Sequence, residues 1–472
     1  MSTPGKSAQL LLLERLHGQL SNRQNEMAMF ESYYTGLHPL PFLTRAHDAK
    51  MRNEFLMLLN DCRSNFMRLV VDVTEERLKV DGFRLSASAD RQADQATWDI
   101  WQANQLDSES QVCFLESLIK GVSYTSVWAN DEEGQPPVIC IEDAMETIVG
   151  YVPGSNFRKR AAALKVWKDE DTGMRRANVY TPTWIYKFEA KLENEDRMAI
   201  GDPRGLERQE EKSPWKELTD QAVSNPIGIV PVVPIRNRPR LLVEGESELS
   251  DVFRIQNQIN GFLFLLALAG YFGAHRQRWA VGLKIMEDTS GKLVEPFDVA
   301  IDTLWQAEDP AVKFGEFEQT LLEGYLKSIE QKVEHVAVTT RTPKHYLMPA
   351  GQEPSGDAIK SAESGLIKKV LRKQTIFGEG LEETMRLARM FAGEGESPVD
   401  SEIVWADPEI RTEAEHVDAA AKKVSLGLID RWQALEDMGY TQTQIARMMA
   451  EPPPVPPANP DPNPTAPEPV LP

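Results

Sequence analysis

Thr339-Thr-Arg-Thr-Pro-Lys-His-Tyr-Leu-Met-Pro-Ala-Gly-Gln-Glu-Pro354 is the stretch on which the fold turns. Pro343, Pro349, Gly351 and Pro354 rule out a regular helix across it, because proline removes a backbone donor and clashes with the preceding turn. Yet strong helical patterns flank it on both sides. A structureless segment of this length inside a domain is uncommon and is usually functional.

On its N-terminal side the spacing predicts a helix from about Glu316 to Val338. Phe317, Leu321, Tyr325, Ile329, Val333 and Val336 recur almost every four residues, with Leu322 and Leu326 widening the face. An earlier helix is expected from about Ser247 to Ala274, striped by Val252, Ile255, Ile259, Phe262, Leu263 and Leu266. Between the two lies a small mixed region, Gln277 to Gly315, with a strand-like Trp279 to Ile285. Two antiparallel helices would carry that insert at the end of a stalk about 35 Å long, at 1.5 Å per residue. On its C-terminal side Ser355 is a suitable N-cap and Asp357 suits a first helical turn. That helix is expected to reach about Phe391, with a kink near Gly378 and Gly380. Lys360, Lys368, Lys369, Arg372 and Lys373 stand on it against Glu363, a local charge of +4.

The N-terminal half reads as helices followed by strands. Helices are expected over Gln9–Tyr34, about Asn53–Glu76, and twice within Ala89–Gly121. From Ser123 the period shortens, and Tyr124–Trp128, Val138–Ile141, Leu164–Trp167, Asn178–Tyr180 and Thr183–Phe188 read as strands of an antiparallel unit. A further apolar strand, Ile227–Ile235, leads into Arg236-Asn-Arg-Pro-Arg240. Residues 189–217 read as an exposed charged loop. After a short extended Glu402–Pro408, two closing helices are expected, about Glu409–Gly427 and Asp430–Glu451. The last 22 residues hold 11 prolines and predict a disordered or polyproline-like tail. The fold class is therefore α+β, mainly α.

Composition narrows the chemistry. The 472 residues carry 52 Lys+Arg against 72 Asp+Glu, a formal charge of −20. That balance argues against a protein that coats DNA, since phosphate neutralisation supplies most non-specific affinity. It leaves open a protein that DNA must pass without sticking. Cys62, Cys113 and Cys140 are odd in number and widely spaced, so neither a zinc ribbon nor a disulfide framework is expected, and a reducing site of synthesis fits. The longest apolar run, Phe262–Ala274, is thirteen residues, short of the about 20 a membrane span needs.

Catalytic signatures are missing. There is no P-loop, no complete dinucleotide fingerprint, no Gly-x-Ser-x-Gly elbow and no metal-ligand spacing among the seven histidines. The expectation is a protein that is not an enzyme and uses no cofactor. By their residues alone, Arg236–Arg240 can be a phosphate contact or a solvated turn. The +4 cluster can face nucleic acid or pair with acids on a neighbouring element.

In order and spacing, several segments resemble the tailed-bacteriophage portal proteins, of the siphophage type. These are Tyr33-Tyr-Thr-Gly-Leu-His38, Pro231-Val-Val-Pro-Ile-Arg-Asn-Arg-Pro-Arg240, and Gly245-Glu-Ser-Glu-Leu249 with Asn257 and Asn260 in the following helix. Further on come Arg341–Leu347, Ser355-Gly-Asp-Ala-Ile-Lys360 with Glu363, Leu366 and Lys369, then Trp405-Ala-Asp-Pro408, Ala420–Ile429 and Met438-Gly-Tyr-Thr441. The resemblance covers about residues 10–450.

The resemblance implies a ring, usually of twelve copies, at one capsid vertex of the virion, assembled from chains made in the host cytoplasm. Double-stranded DNA would be packaged and ejected through it. It implies docking of the terminase large subunit, a head-completion or adaptor protein, and major capsid and scaffolding proteins, with no membrane partner. Carried onto this chain, residues 1–245 form a wing, with its β unit at about 123–235. Residues 246–275 and 316–338 form a stem, and 276–315 a clip. A tunnel loop spans 339–354, a kinked helix returns to the wing over 355–407, a crown spans 408–450, and the Pro-rich tail follows at 451–472. Arg341, Lys344, His345, Tyr346 and Lys360 become candidates to border the DNA channel. The alternative is a capsid-associated adaptor or scaffold that conducts no DNA.

Overall fold

The computed structural model describes residues 7–39, 53–84, 91–132, 134–191, 214–274, 278–282, 311–316, 321–348, 356–393, 401–409, 413–440 and 442–450. In chain order the elements begin with helices α1 (Ala8–Thr35), α2 (Asn53–Asp61) and α3 (Phe66–Glu75), then strand β1 (Val80–Arg84). Helices α4 (Arg91–Ala103) and α5 (Leu106–Lys120) follow. Strands β2 (Val122–Trp128), β3 (Val138–Glu142), β4 (Thr147–Tyr151), β5 (Arg160–Lys168), β6 (Arg175–Tyr180), β7 (Trp184–Ala190), β8 (Lys216–Glu217), β9 (Val223–Ser224) and β10 (Val232–Arg236) come next. The rest are α6 (Phe253–Ala274), β11 (Arg278–Val281), β12 (Lys313–Glu316), α7 (Glu323–Thr340), the single turn α8 (Lys344–Leu347), α9 (Gly356–Phe391), β13 (Glu402–Trp405), α10 (Glu413–Ser425), α11 (Arg431–Asp437) and α12 (Gln442–Ala450). The chain is mixed α and β with helix predominant, as its sequence patterns indicate.

Helix α1 is a spine that touches three cores. Ser7 caps it by accepting the Leu10 amide at 3.2 Å, and Gly36 ends it in the left-handed region at φ 78°. Leu13, Leu16 and Leu20 lie against β4–β7. Met27 joins Tyr124, Val149 and Tyr180. Phe30 and Tyr33 enter the main core of α3, α4, α5, α9 and β10. The antiparallel unit expected after Ser123 is two sheets. One is three-stranded, in the order β10-β2-β3; the other runs β4-β5-β6-β7-β8, with β9 paired to β7. Strand β1, which the sequence hides behind Gly82, pairs with β13 in the register Phe83↔Ile403 and so ties the N-terminal half to the segment after α9.

Four expected helices change shape. The helix expected over 53–76 breaks after Asp61, and Asn65 restarts it by accepting the amides of Met67 and Arg68. Side chains of α6 satisfy the broken backbone: Asn260 accepts from Ser64 N, and Gln256 accepts from Phe66 N and donates to Ser64 O. The helix expected from Ser247 starts at Phe253, with turns over 247–252. The one expected from Glu316 starts at Glu323, because Glu316 belongs to β12. The last expected helix is divided at Met438–Tyr440 into α11 and α12.

Helix α9 spans 36 residues, about 54 Å. It stays helical through Gly378 and Gly380. Gly380 is a point of close approach: a Cβ there would stand 2.5 Å from Ile235 Cδ1 and 3.2 Å from the Pro234 carbonyl. Helices α6 and α7 pack on each other, and α7 is followed by the turn carrying α8. Of the insert between them, β11 and β12 form an antiparallel pair with Trp279 opposite Gly315. The remainder of the expected clip, and the Pro-rich tail, lie outside the described residues.

Candidate functional site

The segment after α7 is built from its own backbone outward. Arg341 takes the left-handed conformation, φ 58°, and its amide donates back to Ala337 and Val338. Thr340 Oγ1 bonds Val336 O at 2.8 Å and Thr342 Oγ1 at 2.9 Å. Pro343 then precedes the single turn Lys344–Leu347, whose Leu347 is buried. The Pro/Gly stretch is thus partly helical where residues 339–348 are described, and 349–355 lie outside the described residues.

The five candidate residues do not share one environment. Arg341, Lys344 and Lys360 are exposed, and Lys344 reaches the exposed Glu334 at 3.0 Å. His345 and Tyr346 are half-buried, with ring centroids 4.5 Å apart. The Tyr346 hydroxyl donates to Glu363 Oε1 at 2.9 Å and accepts from Arg77 at 2.8 Å. Glu363, buried on α9, lies 3.6 Å from Arg77 and 3.8 Å from His345 Nε2. Burial raises the Tyr346 phenol, so it stays a neutral bridge between the two charges.

A second cluster fixes where this segment begins. Glu248 is buried just before α6, between Lys369 at 2.9 Å and Lys373, both on α9. Lys373 also donates to Asn237, which is fully buried. Lys369 donates further to the Thr340 carbonyl at 3.2 Å. One carboxylate therefore ties the entrance of α6, the exit of α7 and the middle of α9. Burial alone would raise the Glu248 carboxyl, but the charges of Lys369 and Lys373 outweigh it and hold the group well below the usual range. Burial lowers the Lys373 ammonium, with Glu248 opposing.

These contacts bear on two open readings. The +4 cluster pairs inward through Lys369 and Lys373, while Arg372 and Lys368 stay exposed. Arg236–Arg240 is likewise held within the chain: Arg238 reaches Asp251 at 2.9 Å, Arg240 reaches Glu246 at 3.3 Å, and Arg236 donates to Phe157 O. Gly245 explains the Gly-Glu-Ser-Glu-Leu motif, since a Cβ there would lie 2.0 Å from the Gly121 carbonyl. Asn257 and Asn260, the other helix residues of that motif, bond Tyr33 Oη at 2.8 Å and His38 Nε2 at 2.9 Å. Arg77 was not singled out by sequence, and Glu248 entered only within the Gly245–Leu249 motif. A charge next to an apolar residue is too common a signal to be specific.

Among the described residues no group of three or more His, Cys, Asp or Glu is placed to hold a metal, and no helix is long and apolar enough to cross a membrane. The three cysteines are free.

What emerges is a structural scaffold in which charged anchors hold an exposed cationic segment at the junction of two long helices with a sheet-bearing body. Comparison with known proteins is consistent and specific. The family model described as "Phage portal protein, SPP1 Gp6-like" matches residues 14–451, so the chain belongs to the SPP1 Gp6-like phage portal family. It is similar to the portal proteins of Mycobacterium phage D29 and Mycobacterium phage L5, 32% identical to each over 403 residues, covering 81% of this chain and 77% of each relative. This is a phage portal protein, of the capsid and DNA-packaging class.

Proposed function

We propose that copies of this chain assemble into a ring, of about twelve, around an axial channel through which double-stranded DNA enters and leaves the capsid at one vertex. The observation that carries this reading is the family match over residues 14–451. On it, the body up to residue 245 is the wing, α6 and α7 the stem, the β11–β12 region the clip, and α10–α12 the crown. The terminase motor and head-completion proteins dock at the exposed ends, and capsid and scaffolding proteins meet the wing. No bond chemistry is assigned to the chain.

Apolar surface left uncovered supports assembly. Leu326 is 50% exposed, Val338 75%, Leu426 73% and Leu428 70%. Leu326 and Val338 lie on α7, and Leu426 and Leu428 in the turn after α10; side chains of this kind suit burial against neighbouring copies in a closed ring. On this reading Arg341, Lys344, His345, Tyr346 and Lys360 border the channel, with Tyr346 also anchoring the segment. A net charge of −20 keeps the wall from gripping DNA, so a few cations give transient phosphate contacts without arresting transport.

Negative-stain images of the purified protein test the ring. Rings of about twelve subunits with a central hole are expected; monomers or dimers at high concentration would overturn it. For the channel segment, deleting Pro349–Glu353 is expected to leave rings intact and reduce packaged or retained DNA. Normal packaging by that variant would remove the segment from the mechanism.

A further inference from the structure

A crevice of about 750 Å³ opens between the β4–β5 connection, β10 and the middle of α9. Tyr151, Phe157, Pro182, Pro234 and Pro239 contribute apolar wall. Phe157 stands edge-on to Tyr151, with centroids 5.2 Å apart at 89°, and Asn156 and Phe157 both hold left-handed backbone at φ 48° and 60°. Five cations line the same crevice, Arg158, Lys159, Arg160, Arg236 and Arg386, against only Glu379 and Glu383. Arg160 spends one nitrogen on Glu383 at 2.7 Å, but its buried Nε has no hydrogen-bond partner among the described residues. Arg158 and Lys159 are exposed and form no ion pair with another described residue.

The chain itself carries a segment of matching chemistry. Glu451–Pro472 holds 11 prolines, three acids (Glu451, Asp461 and Glu468) and no base. Proline-rich sequence favours polyproline II, which has three residues per turn, unspent backbone carbonyls and little ordering entropy left to lose. Such segments are recognised by grooves walled with aromatic rings. Pro454, Pro457 and Pro460 repeat at that three-residue period. Glu436 on α11 pairs with Arg84 of β1 at 2.7 Å, β1 pairs with β13, and Trp405 of β13 sits beside Gly378 on α9, the helix that also carries the crevice wall at Gly380. Twenty-two residues at about 3.1 Å each can reach about 68 Å.

We propose that this crevice is the docking site of the chain's own Pro-rich tail, with prolines against Tyr151 and Phe157 and acids towards Arg158 and Lys159. The inference stands apart from the channel reading, since it needs no ring. The test uses the full-length chain with p-benzoylphenylalanine in place of Lys159, irradiated and mapped by mass spectrometry. Cross-links to residues 451–472 are expected, and adding Arg158→Glu should lower their yield at least five-fold. Cross-links confined to other segments, or to the body of a second copy, would overturn the proposal. As a second measurement, hydrogen exchange at the Val455, Ala458 and Asn459 amides should be several-fold faster in the R158E/K159E chain than in wild type. Equal rates would overturn it as well.

Discussion

The ammonium of Lys369 lies 2.9 Å from the carboxylate of Glu248, and neither side chain keeps more than 11% of its surface in water. The same ammonium holds the Thr340 carbonyl, and Lys373 meets Glu248 from the next turn of α9. Breaking a buried pair from one side leaves an uncompensated charge, which costs about 3–5 kcal/mol. Glu248→Gln, stranding two lysines, should therefore lower the thermal midpoint sharply. The triple variant E248L/K369M/K373M should recover much of that loss, because it removes every charge together. A triple variant as unstable as the single one would show that packing, rather than charge, makes this junction.

Gly380 and Gly378 should respond in opposite directions to alanine. Alanine gains about 1 kcal/mol of helix propensity over glycine. At Gly378 the nearest atom to a new Cβ is Trp405 Nε1 at 3.5 Å, an ordinary contact, so Gly378→Ala should be neutral or stabilising. At Gly380 the Cβ would meet Ile235 Cδ1 at 2.5 Å and the Pro234 carbonyl at 3.2 Å. Gly380→Ala should cost about 1–3 kcal/mol, and adding Ile235→Val should return part of it. Thermal unfolding of the four proteins decides this. Full tolerance of G380A alone would mean that β10 and α9 shift apart freely.

This pair also marks how far the sequence could be read. Two glycines in a helical pattern are compatible with a bend, a close approach or both, and only the position of β10 across α9 reveals the approach at Gly380. The same limit separated α2 from α3. The apolar stripe from Phe55 to Val73 is continuous, but the hydrogen bonds that pay for the break come from Gln256 and Asn260, about 190 residues away. Elements with strong local signals, such as α1 with Ser7 and Gly36 at its ends, were legible to within a residue or two. Strand β1 was not, since its pairing partner lies beyond α9. At the candidate site, the break after α7 was legible from Pro343 and the Pro/Gly residues that follow. The anchoring of Tyr346 was not, because Arg77 and Glu363 approach it from separate segments.

Acid should loosen the α1–α6 junction through His38. Its ring stacks on Tyr33 at 4.4 Å, and Asn260, whose oxygen is already committed to Ser64 and Gln256, donates to Nε2. The imidazole is thus a neutral acceptor. Burial, and then the charge of Arg63, push it down to about 4 from the ordinary 6.5. A depressed folded value means that the unfolded chain takes up the proton first. The stabilisation is therefore complete above pH 6.5 and is lost as pH falls towards 4, by on the order of 2–3 kcal/mol. His38→Gln keeps an acceptor without the titration and should flatten the fall of the thermal midpoint across that window. An unchanged slope in the variant would assign the acid sensitivity to other groups.

Tyr346 separates anchoring from contact with passing DNA. Its hydroxyl sits between Arg77 and Glu363, but those two charges are already 3.6 Å apart. Tyr346→Phe should cost only the net worth of its hydrogen bonds, about 1–2 kcal/mol, because the pair can close over the gap. Arg77→Met is different in kind. It leaves the buried carboxylate of Glu363 with His345, 3.8 Å away, as its remaining neighbour able to carry positive charge, and should cost about 3–5 kcal/mol. Hydrogen exchange at the Leu347 and Met348 amides measures the effect where it arises, with faster exchange expected in R77M than in Y346F. Equal exchange in the two variants would mean that the phenol, not the ion pair, secures the turn. If Y346F rings retain DNA normally while R77M rings do not, the requirement is for a held segment, and the aromatic ring need not touch the duplex.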